Sequence, residues 1–340
     1  MAAPMNRQWR LAAFPVGMAK TSDFEWRKEP IPVPGDGQVL VRNIYLSLDP
    51  TNRVWCNDFD TYMPSVRIGE VMRGLTLGVV EQSRSPNLTK GDFVMGLLGW
   101  QDFTVADGAS LSRLEKIQPL TGYMGLFNPL IGLTAYVGML DIAKPKAGET
   151  MVISGAAGAV GSVAGQIGKI KGCRVVGIAG SDEKCRWATD TLGFDAAINY
   201  NTENVLECLQ TLCPNGIDII WENVGGDVFN AELALINMNA RIVLCGMISQ
   251  YNATAPVAGP SNLIMVLIKR AMIKGFICID HMDRYEAAMT DLARWQAEGQ
   301  IKYRVDMVNG LENAPEAVNK LFDASNTNQG KLFVKVSAEP

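Results

Sequence analysis

The sequence predicts an α/β protein, a doubly wound parallel sheet set into a mostly antiparallel β domain. Three observations lead there. Residues 150–300 alternate short apolar runs with stretches of helical spacing. Those runs are continuously apolar, as in strands that helices cover on both faces. Before residue 120 the strand-like pieces are instead divided by Pro, Gly and Asp turns, the texture of an antiparallel domain.

Taken in order, the first domain offers "QVLVRNIYLSL" (38–48), "TLGVVEQS" (76–83) and "GDFVMGLLGWQDFTV" (91–105). The second offers six runs: "ETMVISG" (149–155), "CRVVGIAG" (173–180), "DAAINY" (195–200), "IDIIWENVG" (217–225), "ARIVLCG" (240–246) and "IKGFICI" (273–279). Helical spacing follows each of the first five, as in "AVGSVAGQIGKIKG" (159–172). Six strands with intervening helices make two mononucleotide-binding halves. The last strand, "GKLFVKV" (330–336), is expected to rejoin the first domain. The expected division is 1–128 plus 305–340 against 129–304. Ligands of such sheets bind beside the carboxyl ends of the strands, so the site is expected in a cleft between the domains.

Composition narrows the function. A length of 340 residues suits two domains. The 31 basic and 35 acidic residues leave a net charge of −4, which gives no electrostatic reason for a nucleic-acid or membrane partner. In "NLIMVLIKRAMIKGFICI" (262–279), three cations interrupt the apolar run, so it reads as a buried helix plus strand rather than a membrane span. "LAAFPVGMA" near the N-terminus is a poor signal peptide. Seven irregularly spaced cysteines, several of them in apolar runs, fit reduced thiols and a cytoplasmic location. With one histidine, His281, and no C-x-x-C pair, a zinc site lacks ligands. The same scarcity argues against a Ser-His-Asp hydrolase.

"SGAAGAVGSVAG" (154–165) follows a strand and opens a helix, the context that a dinucleotide fingerprint requires. In register it reads A-x-G-x-x-G, with Ala156 at the tight-turn glycine and Gly155 one place earlier. Gly158 is expected to let backbone approach a pyrophosphate, and Gly161 to let helix pack on strand. Ala159 and Val160 begin the helix whose free N–H groups would receive the anion. The competing reading is a small-residue helix with no ligand. The second strand ends "IAGSDEKCR" (178–186), with Gly180 and Ser181 where an NAD site usually carries an acid. Lys184 brings a cation to a helix start, where cations are disfavoured, and a 2′-phosphate supplies the reason. Asp182 and Glu183 complicate this, since either is able to reach a ribose.

"GAAGAVGSVAGQIGKIKGCRVVGIAGSDEKC", "GIDIIWENVGGDVFN", "CGMISQYN" and "GLENAPEA" resemble the zinc-independent double-bond (alkenal/one) reductases of the medium-chain dehydrogenase/reductase superfamily. That group includes bacterial NADPH-dependent curcumin reductases and prostaglandin and leukotriene reductases. The similarity runs from residue 38 to 336. It implies a Rossmann doubly wound parallel sheet inserted in a GroES-like β domain, with NADPH as cofactor and a homodimer. It also implies a small-molecule enone substrate, reduced at its C=C bond without metal. By this resemblance the cofactor contacts are Lys184, Tyr200, Asn223, the loop Cys245, Gly246, Met247, Ile248, Ser249 and Tyr251, then Phe276, Ile277, Cys278 and Asn328.

Two departures fall on segments that line the substrate side in relatives. Relatives commonly read "DPYMR", and this chain reads "DPTNR" (49–53), which places Thr51, Asn52 and Arg53 there. Relatives read "GMPGxTAY", and this chain reads "NPLIGLTAY" (128–136), with Ile131 at the proline. Hydride delivered to an enone β-carbon leaves charge on the carbonyl oxygen, and a hydrogen-bond donor there stabilises it. Tyr251 is the candidate catalytic donor, and the nicotinamide ribose hydroxyl is the other candidate. Quinone or carbonyl reduction, and non-catalytic NADPH sensing, remain the competing readings.

Overall fold

The computed structural model describes residues 4–115, 119–323 and 328–340. Two compact units emerge, Met1–Met124 with Val305–Asp323 and Leu332–Pro340, and Gly125–Arg304 with Ala324–Lys331.

The first unit is built on antiparallel strands. β1 (Met5–Leu11) pairs with β2 (Phe24–Pro30) from end to end, and Trp9 faces Trp26 with ring centroids 4.8 Å apart. The sequence reading passed over this pair because its arginines and glutamates mask the buried positions. β3 (Gln38–Ser47) is the long central strand, flanked by β4 (Thr76–Ser83) and β6 (Phe103–Asp107). β5 (Phe93–Gly96) and β7 (Ser112–Leu114) extend the sheet beyond β4. The single run expected over 91–105 is therefore two strands. Its Gly-Leu-Leu-Gly-Trp middle turns the chain and buries Trp100 completely. Trp9, Leu46, Leu48, Trp55, Met72 and Trp100 belong to one apolar core.

The second unit carries six strands: β8 (Thr150–Ser154), β9 (Arg174–Ala179), β10 (Ala196–Asn199), β11 (Ile217–Glu222), β12 (Ile236–Leu244) and β13 (Met272–Gly275). Their order is β10-β9-β8-β11-β12-β13, and every pairing is parallel. The chain reverses its direction of winding between β8 and β11, and this is the switch point where the strand ends diverge. Val152, Val176, Ile178, Ile198, Ile220 and Ile242 form the apolar interior that made these strands legible. β12 starts at Ile236, earlier than the run at 240, because a register shift against β11 lets the strand begin before its apolar stretch. β14 (Val305–Asn309) and β15 (Lys331–Lys335) follow, and β15 pairs antiparallel with β3.

One expectation fails. The segment 262–279 does fold as a helix, Ile264–Ile268, and a strand, β13, but neither is buried. Leu267 is 74% exposed and Ile264 55%. β13 is the last strand of its sheet, so its outer edge and the neighbouring helix keep an open apolar face. A different run, Thr121–Ala143, is long and apolar enough to cross a membrane by length and composition, yet 78% of its apolar window is buried.

Small residues fix the helix Ala159–Ile170 onto the sheet. A side chain added at Gly165 would begin 2.1 Å from Phe194 Cζ and 2.7 Å from Ile153 Cδ1. Overpacking of this kind costs about 1–3 kcal/mol, against roughly 1 kcal/mol gained from helix propensity. Gly165→Ala is therefore expected to lose about 1 kcal/mol in urea unfolding, and Gly165→Val more. An unchanged or raised midpoint for both would show that this contact does not set the helix position.

Candidate functional site

β8 passes into its helix through a turn of small residues. Gly155 has φ +63°, a conformation that glycine adopts without penalty, so the tight-turn glycine is present one position early. Gly158 N–H donates to Gly155 O at 2.9 Å and closes the turn. Ala156 is fully buried, and a Cβ built on Gly177 of β9 would meet its methyl at 2.8 Å. The alanine thus fills space that a glycine on the next strand leaves open. Gly161 is required by proximity, since an added Cβ would lie 2.4 Å from Gly155 O. Gly158 stands at the N-cap and offers no side chain to the first turn. The N–H groups of Ala159, Val160 and Gly161 consequently keep their donor capacity for an anion. Gly330 N–H donates to Ala157 O at 3.0 Å, which lays the segment bearing the buried Asn328 along this turn.

The end of β9 is the electrostatic centre of the site. The Ser181 hydroxyl accepts from Lys184 N–H at 3.3 Å and caps the helix that begins at Asp182. Lys184 is only 7% exposed, and burial holds its ammonium below the ordinary lysine range. No carboxylate lies within ion-pair distance of it among the described residues. The two acids that had argued for a ribose contact are engaged elsewhere. Asp182 Oδ1 accepts from Asn199 Nδ2 at 2.7 Å, and Glu183 lies 3.8 Å from Arg304. Gly180 has a steric role at the end of β9. A Cβ there would sit 2.7 Å from the Tyr200 hydroxyl, so the glycine makes room for the phenol. A buried ammonium with no acidic partner is costly unless an anion joins it. Ser181, Lys184 and Tyr200 therefore fit a 2′-phosphate, and the uncapped helix start fits a pyrophosphate.

The carboxyl ends of β11 and β12 carry two interlocked loops. Asn223 Nδ2 donates to Ser154 O at 2.6 Å, its Oδ1 accepts from Trp221 Nε1 at 3.2 Å, and its N–H donates to Ser154 Oγ at 2.8 Å. Cys245 and Gly246 N–H both donate to Glu222 O, at 2.9 and 3.1 Å. Ile248 N–H donates to Asn223 O and Ser249 N–H to Val224 O, both at 3.0 Å. The Tyr251 hydroxyl accepts from Met247 N–H at 3.3 Å, so the ring folds back over its own loop. Burial pushes the Cys245 thiol up to about 12, far from a reactive thiolate. Phe276 packs edge-on against Trp221, Ile277 O accepts from Asp280 N–H at 3.1 Å, and Cys278 is buried.

The residues assigned to the substrate side have unequal surroundings. The Thr51 hydroxyl hydrogen-bonds the Tyr62 hydroxyl at the surface. Asn52 is buried, with Oδ1 accepting from Asp49 N–H at 2.7 Å. Arg53 is buried and donates to Gly17 O at 3.1 Å and Pro15 O at 2.9 Å. Both therefore brace their own loop. Ile131 is fully buried in the turn Pro129–Leu133. Sequence reasoning missed Tyr62, Trp221, Ser154 and Glu222. Only the last three had a visible signal, their position at strand ends.

Family models match twice, as "N-terminal domain of oxidoreductase" over residues 7–114 and "Zinc-binding dehydrogenase" over residues 159–294. Among the described residues no three His, Cys, Asp or Glu side chains cluster as metal ligands. The chain is 43% identical to the NADPH-dependent curcumin reductase of Escherichia coli (strain K12), covering 98% of each chain. It is 37% identical to prostaglandin reductase 1 of Bos taurus, covering 97% of this chain and 98% of that one. The structure of CurA from Vibrio vulnificus in complex with NADPH superposes with a TM-score of 0.91 at 45% identity, over 98% of this chain and 100% of that one. Domain architecture, strand order and near-full-length identity converge: the chain belongs to the zinc-independent double-bond reductases of the medium-chain dehydrogenase/reductase superfamily.

Proposed function

We propose that this protein uses NADPH to reduce the C=C bond of α,β-unsaturated ketones and aldehydes. The buried Lys184 ammonium, with no carboxylate at ion-pair distance among the described residues, is the observation that carries the cofactor assignment. NADPH, when bound, would supply the hydride for the enone β-carbon, and water the proton that the α-carbon then takes. Lys184, Ser181 and Tyr200 hold the 2′-phosphate. The N–H groups of Ala159, Val160 and Gly161 hold the pyrophosphate, while Gly158 keeps the approach open. The loop 245–251, Asn223, Phe276, Ile277, Cys278 and Asn328 shape the nicotinamide half. The Tyr251 hydroxyl donates to the oxygen where enolate charge develops. Its acceptance of the Met247 N–H fixes the direction in which its proton points and strengthens it as a donor. Thr51 and its partner Tyr62 meet the substrate, and Asn52, Arg53 and Ile131 support the walls. The names of the relatives, a curcumin reductase and a prostaglandin reductase, support a conjugated carbonyl as substrate.

We also propose a cytoplasmic homodimer. The exposed apolar helix Ile264–Ile268 and the outer edge of β13 support it, because an apolar sheet edge left open is a ready site for pairing with a second copy. The free thiols support a reducing compartment.

Incubation with NADPH and a panel of enones, quinones and aldehydes tests the reaction. The expected product is a saturated ketone, and an alcohol or a hydroquinone as main product would replace the assignment. Lys184→Ala is expected to weaken NADPH about tenfold to hundredfold, the worth of one charge-assisted hydrogen bond at roughly 1.5–3 kcal/mol, while NADH changes little. An unchanged NADPH/NADH preference would sink the phosphate assignment. Tyr251→Phe is expected to slow single-turnover hydride transfer about tenfold, roughly 1.4 kcal/mol, without weakening NADPH. A rate within about twofold of the parent would reduce Tyr251 to a packing role. For the dimer, Ile264→Glu with Leu267→Glu is expected to give a monomer in light scattering. A dimer that persists in the double variant would move the interface elsewhere.

A further inference from the structure

Beneath the nicotinamide-side loops lie two carboxyl groups that the proposed reaction does not use. Glu222 ends β11 and Glu232 lies near the end of the helix Gly226–Leu233, and neither is exposed to solvent at all. Glu222 Oε1 accepts from Val224 and Gly225 N–H, both at 2.5 Å. Its other oxygen, and both oxygens of Glu232, meet no protein donor. The helix that carries Glu232 packs against β11, and the carboxyl it brings there has Glu222 as its hydrogen-bonding and charge partner. Among the described residues no cation forms an ion pair with either, and the other titratable groups there are Cys213, just after the neighbouring helix Val205–Leu212, and Cys245, on the loop above Glu222.

Two buried carboxylates in contact cannot both stay ionised. One must carry a proton, and a carboxylic acid is then the donor that the unpartnered Glu222 oxygen lacks. Glu222 is committed as the acceptor, since its Oε1 receives two backbone N–H groups. We infer that Glu232 donates a shared proton to Glu222 and is thereby a positioning residue for the cofactor loop. Burial and the facing Glu222 charge push the Glu232 carboxyl well above the usual carboxylate range, which agrees with this division of roles.

The chain of consequence is short. Glu232 orients Glu222, and the Glu222 side chain fixes the turn Val224–Gly225. The Glu222 carbonyl accepts from Cys245 and Gly246, while Asn223 and Val224 carbonyls accept from Ile248 and Ser249. The loop 245–249 therefore hangs on backbone that the acid pair sets. A pair repelling itself would loosen both loops at once.

The sign follows from the proton. The folded state binds a proton more tightly than the unfolded chain, so the contribution of Glu232 to stability is complete below the ordinary glutamate range. It is lost as pH rises from that range through the raised folded value. The reading of a bound NADPH matters here only because the loop is its proposed contact.

The experiment measures NADPH binding by fluorescence between pH 6 and 9.5 for the full-length protein, Glu232→Gln and Glu232→Leu, with thermal unfolding over the same range. Gln retains a neutral donor, whereas Leu does not. The parent is expected to bind NADPH about tenfold more weakly at the alkaline end than Glu232→Gln does. Lys184, whose ammonium burial holds below the ordinary lysine range, is common to both proteins, so the difference isolates Glu232. Glu232→Leu is expected to bind several-fold more weakly at every pH. Glu232→Gln is expected to raise the unfolding temperature at pH 9 and not at pH 5. Parallel pH profiles for parent and Glu232→Gln in both measurements would overturn the inference. If the parent binds no NADPH, the cofactor reading fails, and the unfolding series still decides whether the pair shares a proton.

Discussion

The site depends on one steric constraint, the closeness with which the helix Ala159–Ile170 approaches the turn before it. Gly161 brings the helix to within a side chain's breadth of Gly155 O, and Gly165 lets it rest on Phe194 and Ile153. With any larger residue the first turn would lift away from β8. Its open N–H groups would then no longer sit at the switch point between β8 and β11, where the neighbouring strands end. The loops after β9, β11 and β12 converge on that place because the strands are parallel and end together on that side.

On this scaffold the charges are arranged by subtraction. Each acid near the end of β9 has a partner away from Lys184, Asp182 in Asn199 and Glu183 in Arg304. The exposed Glu183 contact is worth little as stability, and the Glu183 charge offsets only part of the burial of the ammonium. What remains is a desolvated cation beside the serine that caps its helix, a setting that fits an anion. The opposite bias operates under the β11 turn, where two acids meet with no cation. The same end of the sheet thus carries a buried cation after β9 and a buried acid pair after β11.

Much of this was legible in the sequence. The six parallel strands stood out because double-sided burial removes polar residues from them, and β4 is found over the residues expected for it. The strands β1 and β2 were not legible, since an edge pair with one wet face mixes Arg, Glu and Lys among its buried positions. Burial of 262–279 was misjudged for the converse reason. Apolar content reports what is hidden in the working molecule, and an open sheet edge looks like core in one dimension. In the site, Lys184 and Gly155 were visible from spacing alone. The Asn199 partner of Asp182 and the facing of Glu222 and Glu232 were not, because they join residues 17 and 10 positions apart through strand ends and a helix.

The departures "DPTNR" and "NPLIG" take on different weights in three dimensions. Asn52 accepts the Asp49 N–H and Arg53 donates to the carbonyls of Pro15 and Gly17, so these two side chains hold the loop 49–57 to the N-terminal strand region. Ile131 is sealed inside its helical turn. Only Thr51 is presented outward, and its hydroxyl is tied to that of Tyr62, which is 41% exposed. The small residue at 51 therefore does not leave this surface without an aromatic ring. The ring comes from eleven residues further along the chain, on the loop that follows the helical turn Thr51–Val54. An aromatic wall carried on a loop adapts to its ligand more readily than one fixed in a helical turn. On the proposed function, the Thr51 contact is what sets the resting place of the Tyr62 ring beside the substrate.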